Sequence, residues 1–266
     1  MSAQIRPVGI LAGEGALPVQ LAQYCTKNNI PVCAVQFDNC DYDDFGDILI
    51  LNTPIEKVGA IFKFLKKNNV ADVVMIGNLH RPTLSGLRPD WQGIKTLARI
   101  GNALISSGDN ALLTALRQDI EAQGLNVRGV DYYLTNLTTP AGCLTIKRCE
   151  IDLTMGVLES LRHGQADKGQ SILMHDDDTF SFETDAGTTA LIQSEGRNGS
   201  ILIKTMKPRQ DPDLDRPTVG LKTVNALIDK KCAGMIIQAD AVFMVDKDEM
   251  IKQANDHGLF IEAINV

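Results

Sequence analysis

The feature that most constrains this chain is its opening rhythm of apolar strand, glycine turn and helix. Residues 7–12 (Pro-Val-Gly-Ile-Leu-Ala) form an apolar run, which suits a strand buried on both faces. Gly13-Glu14-Gly15 breaks that run, and Leu17, Leu21 and Tyr24 then recur at helical spacing up to Asn28-Asn29. Strands are predicted at 32–35, 48–51 and 72–76, and a helix over 55–68 carries Ile55, Val58, Ile61, Phe62 and Leu65 on one side. Strands alternating with helices in this way require crossover connections. The expected fold is therefore α/β, with a Rossmann-like parallel sheet in the amino-terminal half.

Two more helices are predicted at 91–105 and 109–123, with Gly108-Asp109 as stop and N-cap. The polar, breaker-rich stretch 134–142 then divides the chain into domains at 1–135 and 136–266. A length of 266 residues agrees with two domains at roughly 150 residues each. The second half reads as a mixed α/β domain. Helices are expected at 150–162 and 221–230, and a last one to His257 capped by Asp246. Strands are expected at 171–174, 179–182, 201–204, 235–238, 242–245 and 260–264, with Asp176-Asp177-Asp178 as a hairpin turn.

Charge narrows the function classes. Thirty-three acids against 26 bases give −7, which argues against sequence-independent capture of nucleic acid. No apolar run reaches ~18 residues, and the first seven residues contain no apolar leader, so a soluble cytoplasmic protein is expected. The six cysteines form no C-x-x-C pair, which points to reduced thiols rather than a zinc cluster.

Three stretches carry residues suited to chemistry. The turn at Gly13 and Gly15 lets backbone approach a phosphate at a helix N-terminus. It equally suits a tight strand-to-helix turn, and Pro18 stands where a dinucleotide fingerprint needs its third glycine. An NAD-dependent enzyme therefore stays a minor alternative. Next, Gly77-Asn78-Leu79-His80-Arg81-Pro82 follows a strand, at the end where open α/β sheets bind ligands. There Arg81 suits a phosphate clamp, while His80 is either an acid–base group or an exposed loop residue. The third stretch runs from Lys204 to Gly220, where prolines and a glycine preclude a continuous helix. Lys204, Lys207, Arg209 and Arg216 are cations for phosphate oxygens, beside Asp211, Asp213 and Asp215. One or two carboxylates with substrate phosphate suffice for Mg²⁺ (or Mn²⁺). Together these suit phosphoryl transfer or hydrolysis, in which positioned charge does most of the catalysis.

This third stretch resembles the LpxI-type UDP-2,3-diacylglucosamine pyrophosphatases of lipid A synthesis. Their pattern K-x-x-K-P-x-Q-[DE]-x-x-x-D-x-P-x-x-G-x-x-T is met by Lys204, Lys207, Pro208, Gln210, Asp211, Asp215, Pro217, Gly220 and Thr223. Four further blocks follow the family in order. They are Gly9, Ala12, Gly13, Gly15, Leu17 and Pro18; Gly77, Asn78, Arg81 and Pro82; Gly108, Asp109, Ala111, Leu112 and Leu113; and Asp256, Gly258, Leu259 and Phe260.

The resemblance implies a cytoplasmic hydrolase that converts UDP-2,3-diacylglucosamine to UMP and 2,3-diacylglucosamine 1-phosphate. Water attacks the α-phosphorus with a divalent metal present, and the lipid lies between two α/β domains. Carried over, Asp215 is the first choice for the essential carboxylate and Asp211 the second, as catalytic groups and as metal ligands. Lys204, Lys207 and Arg81 would meet the diphosphate, with Gly13, Gly15, Asn78, Gln210 and Thr188 completing the substrate site. Ile94, Leu97, Ile100 and Leu104 would line the acyl chains or serve as core. Contact with the inner face of the membrane would be transient, and a homo-oligomer stays open. One departure is plain: the family's E-G-T-D is Ala186-Gly187-Thr188-Thr189 here, and its D-I-G-Q is Asp167-Lys168-Gly169-Gln170. Loss of both acids leaves a slow, altered-substrate or non-catalytic paralogue as the alternative.

Overall fold

The computed structural model describes residues 6–38, 40–78, 88–96, 98, 109–208 and 210–266, with the side chains of 109–112 excepted. The chain divides into two compact units. The first is Met1–Leu134 with Asp211–Asp215, and the second is Thr135–Gln210 with Arg216–Val266.

In the first unit β1 (Val8–Ala12) leads through α1 (Ala16–Lys27) to β2 (Val32–Phe37), and β3 (Leu49–Thr53) leads into α2 (Val58–Lys67). Next come β4 (Asp72–Ile76), helical residues 91–96, α3 (Asp109–Ala122) and β5 (Asn126–Val127). The five strands are parallel, in the order β3-β2-β1-β4-β5. The order reverses at β1, so the crevice at the carboxyl ends of β1 and β4 is the topological switch point of the sheet. Cys33, Val35, Ile61, Phe62, Leu65, Val73, Ile120 and Val127 form the core of this unit, and Leu214 packs among them. That contact explains why the short segment Asp211–Asp215 belongs to the first unit.

Helix α2 begins three residues later than the periodicity suggests. Its N-terminus is finished from a distant stretch: Asp90 Oδ2 accepts the Gly59 and Ala60 N–H groups at 2.8 and 3.2 Å. Asp90 Oδ1 accepts the Gly93 N–H at 2.7 Å, so one carboxylate serves donors in two helical segments.

The second unit contains β6 (Gly142–Cys143), α4 (Thr154–Gln165), β7 (Ser171–Met174), β8 (Phe180–Phe182), α5 (Gly187–Glu195) and β9 (Ile201–Lys204). It continues with β10 (Thr218–Val219), α6 (Leu221–Asp229), β11 (Gly234–Gln238), β12 (Phe243–Met244), α7 (Lys247–Asp256) and β13 (Phe260–Ile264). Its main sheet is mixed, ordered β6-β13-β11-β9-β7-β8, with β9, β11 and β13 parallel and the outer strands antiparallel. Strands β10 and β12 pair separately. Leu173, Ile192, Leu202, Leu227, Met235, Ile237 and Ile261 are central to the core.

Two local expectations are corrected. Helix α4 starts at Thr154 rather than Glu150, because Asp152 Oδ1 accepts both the Thr154 N–H (2.9 Å) and its hydroxyl (2.7 Å), a turn that holds the chain out of helix. Asp246 stands at the N-cap of α7 but in left-handed geometry (φ 57°) and makes no side-chain cap hydrogen bond. All six cysteines are free thiols, and burial pushes Cys25, Cys33 and Cys232 up to about 11. Among the described residues no helix is long and apolar enough to cross a membrane.

Candidate functional site

At the switch point of the first sheet the turns after β1 and β4 are bonded to each other. The Gly13 N–H donates to Ile76 O (2.8 Å), Glu14 N–H to Asn78 O (2.8 Å), and Asn78 N–H to Glu14 O (2.9 Å). The approach is so close that a Cβ on Gly13 would lie 2.5 Å from the carbonyl carbon of Gly77. Gly13 is thus required by backbone packing, and its N–H serves this bridge. Gly15, with φ 107°, is the N-cap of α1, which carries no side-chain cap and no acid in its first turn. The Tyr42 hydroxyl donates to Ala12 O (2.9 Å) and accepts the Phe37 N–H (2.8 Å), bracing the turn from outside. Burial, more than any other cause, raises the Tyr42 pKa, which keeps this hydroxyl protonated.

The carboxylate-bearing segment is fastened to the same unit. Arg117 on α3 reaches Asp211 Oδ2 with Nη1 at 2.6 Å and Asp213 Oδ2 with Nη2 at 3.1 Å. Its Nε bonds Glu121 at 3.0 Å, and that hydrogen bond is the largest cause of a pKa raised above the ordinary arginine value. Asp211 Oδ1 accepts the Asp213 N–H at 3.0 Å, while Asp211 O accepts the N–H groups of Leu214 and Asp215, each at 3.0 Å. Asp211 is the keystone of the turn that presents Asp215.

In the second unit Lys204 ends β9 directly opposite Ser171 of β7. The Lys204 side chain is buried, and Nζ donates to Thr188 Oγ1 at 2.7 Å and Ser171 Oγ at 3.2 Å. Ser171 Oγ and Thr188 Oγ1 are 3.0 Å apart. Thr188 reaches this position from the first turn of α5, whose N-terminus bears no acid. Behind it lies Glu183, also buried, with Oε1 accepting the Thr188 hydroxyl at 2.6 Å and Oε2 accepting the Gln170 N–H at 2.7 Å. His163 is packed beside this group, its Nε2 3.1 Å from Glu183 O, and burial lowers its pKa.

After Lys204 the loop is pinned at each step. Gln238 Oε1 accepts the Met206 N–H (2.8 Å), and Gln210 Oε1 accepts the Lys207 N–H (3.0 Å) while the Gln210 N–H returns to Lys207 O (3.1 Å). Lys207 Nζ pairs with Asp167 at 2.8 Å. Gln210 is therefore a buried brace for the lysine turn, and the substituted D-I-G-Q block still supplies an anion to Lys207.

The expected site residues thus fall into local groups. Gly13 joins Asn78, Lys204 joins Thr188, Lys207 joins Gln210, and Asp211 joins Asp215. Arg81, His80, Arg209, Leu97, Ile100 and Leu104 lie outside the described residues; Ile94 is exposed. Arg117, Ser171 and Glu183 were not expected. The sequence marks none of them, since each acts on a partner far along the chain or in another element. Among the described residues no group of three or more His, Cys, Asp or Glu is placed to hold a metal. Asp211 is engaged by Arg117 and by backbone N–H groups of its own turn.

The comparisons with known proteins agree across both units. The LpxI N-terminal domain model matches residues 7–137 and the LpxI C-terminal domain model matches 140–262. A curated relative, the UDP-2,3-diacylglucosamine pyrophosphatase LpxI of Caulobacter vibrioides, is 28% identical over 279 residues, covering 98% of each chain. Among solved structures, glycinamide-RNase-transformylase T from Mycobacterium tuberculosis is 12% identical over 66% of this chain and 43% of its own. Its TM-score is 0.22.

Proposed function

This chain belongs to the LpxI family, and on that premise we propose that it is a hydrolase cleaving UDP-2,3-diacylglucosamine to UMP and 2,3-diacylglucosamine 1-phosphate. The observation that carries the reading is the full-length relation to a pyrophosphatase of that name, with the Lys204–Gly220 pattern kept at every position quoted above.

In this reading water attacks the α-phosphorus and the sugar 1-phosphate leaves. Negative charge spreads over the non-bridging oxygens and the leaving phosphate, so preformed cations stabilise the transition state more than the ground state. Lys204 suits that task because it is buried, where a charge interacts more strongly than in water. Lys207 adds a second cation on a braced turn. Asp215 orients the attacking water or holds the metal, and Asp211 sets its place. A bound Mg²⁺ (or Mn²⁺) would supply Lewis-acid polarisation of a phosphoryl oxygen. The substrate is an acylated nucleotide sugar, the enzyme acts in the cytoplasm, and its contact with the inner membrane face is transient.

A second reading, binding without turnover, draws on Ala186 and Thr189, which replace acids of the family pattern. The test is UMP release by the full-length protein from UDP-2,3-diacylglucosamine with Mg²⁺, with Mn²⁺ and with a chelator. Metal-dependent UMP release is expected. Tight binding of the acylated sugar phosphate without UMP would instead establish the second reading.

A further inference from the structure

We propose that Glu183 is the positioning residue for Lys204, acting through the Thr188 hydroxyl; the proposal rests on the hydrolase reading above and extends it to a residue outside the motif blocks quoted above. A threonine hydroxyl has one proton to donate and two lone pairs to fill. Thr188 Oγ1 has three neighbours at hydrogen-bond distance: Glu183 Oε1 at 2.6 Å, Lys204 Nζ at 2.7 Å and Ser171 Oγ at 3.0 Å. An ammonium only donates and an ionised carboxylate only accepts. Thr188 must therefore give its proton to Glu183 and accept from Lys204. Its remaining lone pair takes the Ser171 proton, which leaves Ser171 Oγ to accept from Lys204 at 3.2 Å. Every donor direction in the ring follows from the charge on Glu183.

The arrangement is buried and anchored at both ends. Ser171 is fully buried, Lys204 is 5% exposed and Glu183 9% exposed. Glu183 is itself fixed by the Gln170 N–H, adjacent in sequence to Ser171. An anion is thereby placed behind the lysine, relayed by a hydroxyl, and the ammonium is held in one orientation. The acids missing at Ala186 and Thr189 are not needed for this device, because its anion comes from β8's carboxyl end.

Glu183→Gln tests the directionality. The pocket presents two donors, the Thr188 hydroxyl and the Gln170 N–H, whereas a glutamine offers one acceptor oxygen and an NH₂ group that can only donate. One contact must fail, and the fold need not. The full-length protein should lose roughly 10- to 100-fold in kcat, as supporting residues behind a reactive group commonly do, with KM changed about threefold or less. T188V should lose a similar factor, and the double variant should be no worse than either single, since both cut one path. E183D, still acceptor-only, should recover part of kcat. Independently of activity, NMR of ¹⁵N-lysine-labelled protein should show slowly exchanging Lys204 ammonium protons, assigned with K204R, that exchange faster in E183Q.

Wild-type kcat in E183Q, additive losses in the double variant, or unchanged Lys204 exchange would each overturn the proposal. Loss of kcat that merely tracks a fall in Tm would also overturn it. Should wild type release no UMP while Lys204 exchange still depends on Glu183, the hydrolase reading fails and the relay stands.

Discussion

Arg117 and Asp211 meet at 2.6 Å across 94 positions of sequence, and the same guanidinium also takes Asp213. Fork geometry lets one arginine hold two carboxylates of a tight turn at once. Leu214, the residue after Asp213, is buried in the core of the first unit. The turn is therefore held by a polar clamp and an apolar anchor, and Asp215 emerges from its end.

Removing the clamp should loosen the turn more than it destabilises the protein. The pairs are partly exposed, with side-chain exposures of 25%, 23% and 44% for Arg117, Asp211 and Asp213. Solvent screening then limits their stability contribution to on the order of 1 kcal/mol or less. Arg117→Ala is expected to lower Tm by only a few degrees while accelerating amide exchange at Leu214 and Asp215 and reducing kcat at least tenfold. Arg117→Lys should not restore the loss, because a point charge cannot hold both acids. Unchanged exchange at these amides would remove the clamp's role.

Gly13 should tolerate no side chain. An added methyl would meet the backbone of Gly77, which cannot swing aside as a flexible side chain can. Gly13→Ala is expected to cost about 1–3 kcal/mol, the usual range for overpacking. Chemical denaturation would measure this, and an unaltered midpoint would contradict the close approach of the two turns.

Stability should fall on the acid side through buried histidines. Burial lowers the pKa values of His163 and His175 below the ordinary 6.5. The unfolded chain then takes up protons before the folded one. Stability is full above pH about 6.5 and declines as pH falls from there through the folded pKa values, at up to ~1.4 kcal/mol per pH unit for each group. His163→Gln should flatten part of that slope in denaturation curves between pH 7 and 5. An unchanged slope would mean that His163 is not desolvated.

Asp90→Ala should remove the cap that α2 lacks within its own sequence. A cost of about 1 kcal/mol is expected, seen as a Tm lowered by a few degrees. No change would show that solvent satisfies the Gly59 and Ala60 amides equally well.

The strands at 171–174, 201–204 and 260–264 were legible from their apolar runs, because a strand buried on both faces needs no more than that. Helix α5 was not. Its first turn, Gly187-Thr188-Thr189, has the composition of a loop, and only Leu191 and Ile192 become buried. Strands β5, β6 and β10 span two residues each, too few for any periodicity. The family pattern made Lys204, Asp211 and Asp215 legible as candidates for the site. The distribution of their tasks was not, because Arg117 and Glu183 act across 94 and five positions of sequence and no local spacing marks either pair. Asp211 read as a candidate ligand in sequence and stands in the structure as a partner of Arg117.

The central claim is attack of water on the α-phosphorus, and the most direct measurement is hydrolysis in H₂¹⁸O followed by mass spectrometry of both products. The account predicts one ¹⁸O in the phosphate of UMP, none in 2,3-diacylglucosamine 1-phosphate, and no turnover in a folded Asp215→Ala variant. Label in the sugar phosphate, or the absence of UMP with metal supplied, would contradict it.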